Sequence, residues 1–286
     1  AAATELDTNA TDTNGDIIIG AVTGANNNLT LDTTTTTGSA DNTFTGDINL
    51  GSGALSVTGD VVLAANVTVT ATPSGGTGIV FSDAINADDA SSNDRTLTLN
   101  AGTASNVFVI GTVGASQALA GLTVTQSNGI GFFSPVDVTD SNSGTITLTD
   151  TQDNILIIFS DVVADSFVTT TEGYALRLLG NTTFANAVTF QNTGTLELGD
   201  ATSDTFTFNG GVTESTGGTV TIDGAIVSSN DAISFGNINL GQNLSVTSAG
   251  GAISIGTITA AFGSQDISIT SSGGSANTAS VGAIGG

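Results

Sequence analysis

The sequence predicts an all-β protein, a right-handed parallel β-helix (a β-solenoid) of roughly 11–14 coils, each of about 20–25 residues. Three observations lead to this prediction. The composition is that of strands and turns, short alternating segments recur along the whole chain, and one segment returns almost unchanged about 190 residues later.

The composition favours strands joined by turns. The 286 residues include 49 Thr, 38 Gly and 24 Asn, and the acids are 22 Asp against only 4 Glu. Thr is a strand former, Gly, Asn and Asp favour turns, and Glu is the acid that favours helices. Ile, Val, Leu and Phe are spread evenly along the chain, so it can bury apolar side chains throughout and is expected to fold.

Strands are predicted where apolar and hydroxyl residues alternate, because alternation with a period of two gives one apolar face and one polar face. Such segments recur at intervals of about ten residues, with Gly, Asn, Asp and Ser between them. Clear examples are residues 67–70 (VTVT), 96–99 (TLTL), 145–148 (TITL) and 205–208 (TFTF).

The repeated segment favours a solenoid over a sandwich or barrel. Residues 46–51 (GDINLG) return as residues 236–241 (GNINLG), and a matching strand follows each copy, at 54–58 and 243–247. Repetition of this kind is expected where one coil stacks on the next. We predict a single solenoid domain over residues 1–286, with a less ordered tail rich in Gly, Ser and Ala at 271–286.

Several segments resemble a known family. Residues 95–103 (RTLTLNAGT), 107–113, 119–125 and 243–255 are similar to the degenerate repeats of filamentous-haemagglutinin-like, β-strand-repeat adhesins, which are large bacterial exoproteins. The resemblance implies a right-handed β-helix at the cell surface, and it brings no catalytic motif with it. Because those exoproteins are usually very long, the chain is expected to be either an excised segment or a complete subunit that polymerises.

Charge and missing residue types exclude many activities. The formal net charge is −24, with Arg95 and Arg177 as the only basic residues and no Lys, His, Cys, Met or Trp. Nucleic acid is therefore not an expected partner, and disulfides, zinc sites, thiol nucleophiles, Schiff bases and histidine bases are impossible. We predict no catalytic residue and no cofactor-binding residue. Apolar runs are far shorter than the roughly 18–20 residues of a membrane-spanning helix, and the absence of Cys suits a secreted or surface protein.

Asp83, Asp88 and Asp89 are the candidate metal-binding residues. Paired carboxylates also occur in β-helical glycosidases, whereas an ordinary solvated acidic turn explains the same residues without any ligand. The calcium-binding β-roll repeat is missing, so calcium at this turn is the one cofactor considered.

Five Asn-x-Ser/Thr sequons are candidate glycosylation sites. They begin at Asn9, Asn28, Asn66, Asn181 and Asn243.

The predicted function is that of an extracellular structural β-solenoid at the bacterial surface, either a self-assembling filament subunit or an adhesin shaft. A β-helix ends in strand edges that must be capped or paired, and no amphipathic capping helix is evident, so head-to-tail pairing with further copies is expected. The alternative is a surface module that binds glycans or ice, the latter through outward Thr rows. A β-helical polysaccharide-degrading enzyme is a further alternative.

Overall fold

A computed structural model describes residues 3–8, 15–34, 40–88, 94–139, 144–149, 152–153, 155–215, 217–260, 265–273 and 278–285. Within them every regular element is a β-strand and none is a helix. The chain divides into two compact units, Ala1–Gln152 and Asp153–Gly286. All strand pairs for which a register is resolved are parallel, and this parallel stacking confirms the predicted β-solenoid.

In its described residues the first unit has seventeen strands. They are β1 (Thr4–Asp7), β2 (Ile17–Ile19), β3 (Val22–Thr23), β4 (Leu29–Asp32), β5 (Asp41–Phe44), β6 (Ile48–Asn49), β7 (Leu55–Thr58), β8 (Asp60–Leu63), β9 (Val67–Thr70), β10 (Thr77–Phe81), β11 (Ile85–Ala87), β12 (Thr96–Asn100), β13 (Asn106–Val109), β14 (Gly121–Gln126), β15 (Gly129–Phe132), β16 (Val136–Val138) and β17 (Thr145–Leu148).

These strands stack in three columns, so each turn of the solenoid has three sides. The first column runs β1, β4, β7, β10, β13, β15. The second runs β2, β5, β8, β11 and continues to β16 through single bridges at Val113. The third runs β3, β6, β9, β12, β14, β17.

Fifteen strands lie in the part of the second unit that the structure describes. They are β18 (Leu156–Phe159), β19 (Val162–Ala164), β20 (Ser166–Val168), β21 (Ala175–Leu178), β22 (Thr182–Phe184), β23 (Val188–Phe190), β24 (Leu196–Leu198), β25 (Thr205–Phe208), β26 (Val212–Glu214), β27 (Val220–Ser228), β28 (Ile233–Phe235), β29 (Ile238–Ser248), β30 (Ile253–Ala260), β31 (Ile267–Ser271) and β32 (Ala279–Gly285).

The second unit is also three-sided, but its later strands bend around a corner and serve two columns each. The first half of β27 pairs with β24 and its second half with β25. In the same way β29 pairs along both halves of β27. Within the tail, β32 pairs with β30 over residues 279–285.

The core is built from apolar ladders that rise from turn to turn. In the first unit Leu31, Val57, Phe81, Val109 and Phe132 lie in register, and each is at most 1% exposed. Because the side chains alternate along each strand, the same spacing that buries these residues turns Thr, Ser and Asp outward.

The solenoid has about ten turns in the described residues, slightly fewer than the 11–14 expected. Several turns are longer than the assumed 20–25 residues. Hydrogen bonds between adjacent turns join Asn66 to Thr96, 30 residues apart, and Pro73 to Ser105, 32 residues apart.

The two copies of the repeated hexapeptide make the same local contacts. Its inward residues, Ile48 and Leu50 in one copy and Ile238 and Leu240 in the other, are all buried. The polar residue before each Ile accepts a backbone N–H from the next turn, Thr68 N to Asp47 Oδ1 at 2.7 Å and Thr257 N to Asn237 Oδ1 at 2.9 Å. The repeat therefore marks one structural unit of the coil.

Candidate functional site

Single Asn and Asp residues at the starts of strands connect one turn to the next. The side chain of Asn28 accepts the N–H of Ala54 at 2.9 Å, and that of Asn66 accepts the N–H of Thr96 at 3.1 Å. Asp161 accepts the N–H of Asn181 at 2.7 Å in the second unit. These side chains satisfy backbone donors at the corners, where the strand ladder itself supplies no acceptor.

The predicted glycosylation sequons coincide with these connecting residues. Asn28, Asn66, Asn181 and Asn243 are all exposed, and each accepts a backbone N–H through Oδ1; Asn9 lies outside the described residues. In each described sequon the middle residue is buried and the Ser or Thr faces outward. The coil pattern alone therefore produces Asn-x-Ser/Thr, and glycosylation stays a prediction.

The predicted metal candidates have separate structural roles. The Oδ2 atom of Asp83 accepts the N–H of Gly59 at 2.8 Å. Asp88 forms a two-pronged ion pair with Arg95, with N–O distances of 2.8 and 2.9 Å, and Asp89 lies outside the described residues. Within the described residues, no group of three or more acidic side chains is arranged to hold a metal ion.

Asp83 belongs instead to an acidic column in the first unit. Asp60 accepts the N–H of Ala84 at 3.1 Å, Asp41 is the register partner of Asp60, and Asp16 accepts the N–H of Asp41 at 3.1 Å. Burial raises the pKa of Asp41, and the charges of Asp16 and Asp60 raise it further. The column therefore carries like charges on successive turns.

A second acidic corner lies in the second unit around Asp223. Its side chain is 9% exposed, and its Oδ1 atom has no hydrogen-bond partner. Burial raises the pKa of Asp223, the N–H groups of Gln242 and Gly241 lower it, and the charges of Asp200 and Asp204 raise it. Nothing in the sequence indicates that successive turns bring Asp200 and Asp223 close enough to influence each other.

Most Phe side chains point inward, as the alternation predicts, but Phe133 and Phe108 form a surface pair. Their ring centroids are 5.9 Å apart, and Phe133 is 51% exposed. The ring of Phe133 covers Gly131, where a Cβ would approach it to 2.3 Å. The Phe132–Phe133 doublet is the sequence signal for this pair, because two successive strand residues cannot both face the core.

Four outward Thr residues of the first unit form a regular row. Thr68, Thr98, Thr123 and Thr147 lie in register on four successive turns. The row beside it is interrupted, because Gly121 stands between Thr96 and Thr145. A single row is narrower than the flat lattice that ice binding requires, so the ice alternative gains no support from it.

The first and last described turns each expose a core-facing residue. Leu6 is the register partner of Leu31, which is fully buried, yet Leu6 is 42% exposed. Ile284 is the partner of Ile258, also fully buried, yet Ile284 is 64% exposed. Within the described residues, β1 pairs along one edge only, with β4, and β32 pairs only with β30.

Within the described residues, no helix is long and apolar enough to cross a membrane. Comparisons of the chain with protein-family models, with curated proteins and with solved structures found no match. The resemblance to filamentous-haemagglutinin-like adhesins thus stays a prediction from the sequence.

Proposed function

We propose that this chain is a structural β-solenoid of the bacterial surface that extends by adding further turns to its terminal strands, with a second copy of itself as the partner. The observation that carries the proposal is the exposure of core-facing residues at both terminal turns. Burying such side chains stabilises by about 25 cal/mol per Å² of apolar surface. Packing a further turn against the first or the last turn is therefore favourable.

The cover that fits best is another turn of the same kind. Both units are three-sided and parallel, so the last turn of one copy offers the first turn of the next a matching set of strand edges and apolar side chains. Such a contact joins different surfaces of two copies, and repeating it produces a polymer instead of a closed dimer.

Charge directs where copies meet. With a net charge of −24, the outward faces of two copies repel each other and oppose sideways clumping. The terminal strands carry unpaired backbone groups and apolar side chains, so charge repulsion opposes contact there less than it does between the outward faces. Surface location is supported by the family resemblance and by the absence of Cys.

Negative-stain electron microscopy and sedimentation of the purified chain test the proposal. We expect polymers from the unmodified chain, whereas Leu6→Asp and Ile284→Asp each place a charge on one terminal face and are expected to leave single chains. Ile18→Asp is the matched control, because Ile18 is 73% exposed and points outward from β2. Single chains from the unmodified protein would overturn self-assembly and would favour the adhesin-shaft alternative.

A second candidate function, glycan binding, is favoured by the Phe108–Phe133 pair. Ile110, 49% exposed, adds to the apolar surface of the same unit. Aromatic faces suit the apolar faces of sugar rings, and the strong negative charge favours neutral sugars over acidic ones. Calorimetric titration with neutral hexasaccharides of glucose and of N-acetylglucosamine is the test. Phe133→Leu, which keeps an apolar side chain but removes the ring, is expected to abolish binding.

A further inference from the structure

Three successive turns of the second unit meet at one corner. Residues 199–204 form its first layer, Asp223 its second, and Gly241 with Gln242 its third. The layers are bonded to one another, because Gln242 Nε2 donates to the carbonyl oxygen of Asp200 at 3.2 Å.

Two acidic residues, Asp204 and Asp223, lie at this corner. Asp204 is 8% exposed, and its Oδ2 accepts the N–H groups of Asp200 at 3.0 Å and of Ala201 at 2.9 Å. A Cβ on Gly241 would lie 2.7 Å from both carboxylate oxygens of Asp223. Gly199, at φ +86°, lies against both acids: a Cβ there would be 2.0 Å from the Asp223 carbonyl oxygen and 3.3 Å from Asp204 Oδ2.

The corner holds negative charge that no side chain of the protein balances. A buried carboxylate is normally paired with a cation or bound to a metal. The chain has only two basic side chains, and both are used elsewhere, Arg95 by Asp88 at 2.8 Å and Arg177 by Glu197 at 2.6 Å.

The Oδ1 atom of Asp223 is buried and has no hydrogen-bond partner. Gln265, which donates through Nε2 to the carbonyl oxygen of Gly241 at 3.5 Å, also has a buried Oε1 without a donor. Two buried oxygens beside Gly241 thus lack a positive partner.

We propose that this corner binds a divalent cation, Ca²⁺, with the carboxylates of Asp204 and Asp223 as its charged ligands. All available donors are oxygens, which are the ligands of Ca²⁺ and Mg²⁺, and the chain has no His or Cys for a transition metal. Ca²⁺ fits better than Mg²⁺ because it accepts irregular coordination and neutral oxygens, whereas Mg²⁺ demands near-octahedral geometry. The site is distinct from Asp83 and Asp88 and does not depend on self-assembly.

Thermal unfolding, followed by circular dichroism, tests the site in EDTA, in CaCl₂ and in MgCl₂ at equal ionic strength. Ca²⁺ is expected to raise the midpoint of the unmodified chain by several degrees, and more than Mg²⁺ does. The Asp223→Asn variant is compared with the unmodified chain in both solutions. In EDTA its midpoint is expected to be at least as high, because like-charge repulsion is relieved. In CaCl₂ its midpoint is expected to be lower.

The matched control is Asp60→Asn, which removes one charge in the first unit and keeps an oxygen that can accept the N–H of Ala84. It is expected to retain the full Ca²⁺ shift. Isothermal titration calorimetry provides a second readout, in which Asp223→Asn and Asp204→Asn each lose the tightest Ca²⁺ site. An equal Ca²⁺ shift in Asp223→Asn and the unmodified chain, or equal shifts with Ca²⁺ and Mg²⁺, would overturn the proposal in favour of general charge screening.

Discussion

At the scale of single residues, the short acidic and amide side chains hold neighbouring turns together. Adjacent strands lie about 4.8 Å apart, a distance that an Asn or Asp side chain spans from its own backbone. The longer Glu loses more side-chain entropy when it is ordered in such a bond. This explains why the chain has 22 Asp but only 4 Glu, a preference that the sequence shows but whose purpose only the structure reveals.

Asn66 provides a direct test of these connections. Replacing it with Ala leaves the N–H of Thr96 without its acceptor at 3.1 Å, and we expect a loss of about 1 kcal/mol in the free energy of unfolding. Asn66→Asp keeps an acceptor oxygen and is expected to unfold close to the unmodified chain. Urea denaturation followed by circular dichroism measures both, and equal losses in the two variants would contradict the bonding role.

Asp41 predicts a dependence of stability on pH. Burial and the charges of Asp16 and Asp60 raise its pKa in the folded chain. The contribution of Asp41 to the free energy of unfolding is therefore most favourable below the unfolded pKa of about 3.9. The contribution is lost as the pH rises through the folded pKa. Asp41→Asn is therefore expected to be more stable than the unmodified chain at pH 7.

The comparison of Asp41→Asn with the unmodified chain is made by urea denaturation at pH 7 and again at pH 3.5. The difference is expected to shrink at the lower pH, where the unmodified side chain is largely protonated. A constant difference at both values would mean that packing, not charge, separates the two proteins.

At the scale of strands, aromatic side chains concentrate in the second unit. Phe167 lies within 5.2–6.2 Å of three other rings, those of Phe159, Phe184 and Phe190, measured between centroids. It is 3% exposed and stands on β20, a strand of only three residues. Packing of the Phe167 ring therefore adds to the pairing of this short strand with β23.

Truncation of Phe167 is expected to cost about 3–5 kcal/mol, because Phe167→Ala leaves a cavity among these rings. Phe133→Ala removes the same atoms from the surface of the first unit, where half of the ring is already exposed, and is expected to cost less than about 1 kcal/mol. Urea denaturation of both variants checks the contrast. Similar losses would indicate that the Phe133 surface is packed as tightly as the core.

The positions of the strands could be predicted well from the sequence, whereas the side-chain contacts between one turn and the next could not. The TLTL and TITL segments lie in β12 and β17, and both copies of the GDINLG repeat make the same kind of hydrogen bond to the next turn. Alternation is local and therefore visible in the chain. Contacts between turns are not: Asp83 binds the N–H of Gly59, and Gln242 binds the carbonyl oxygen of Asp200, and both depend on the variable length of the loops between strands.

At the scale of the whole molecule, the negative charge is distributed along the chain. Most acids are single side chains on outward positions or corners, and the two basic residues neutralise only one acid each, Asp88 and Glu197. Charge of this size keeps copies apart at long range. Association through the terminal turns is then possible only when that repulsion is screened.

Self-assembly is therefore expected to depend on salt. At about 10 mM ionic strength the Debye length is roughly 30 Å, whereas at about 150 mM it is roughly 8 Å, so polymer growth measured by light scattering is expected to increase across this range. Ile284→Asp is expected to stay unassembled at every salt concentration, because it removes the apolar contact itself, while Ile18→Asp follows the unmodified chain. Assembly that weakens with added salt would contradict this mechanism, since it would mean that the copies are joined by ion pairs and not by the apolar ladders and strand edges of their terminal turns.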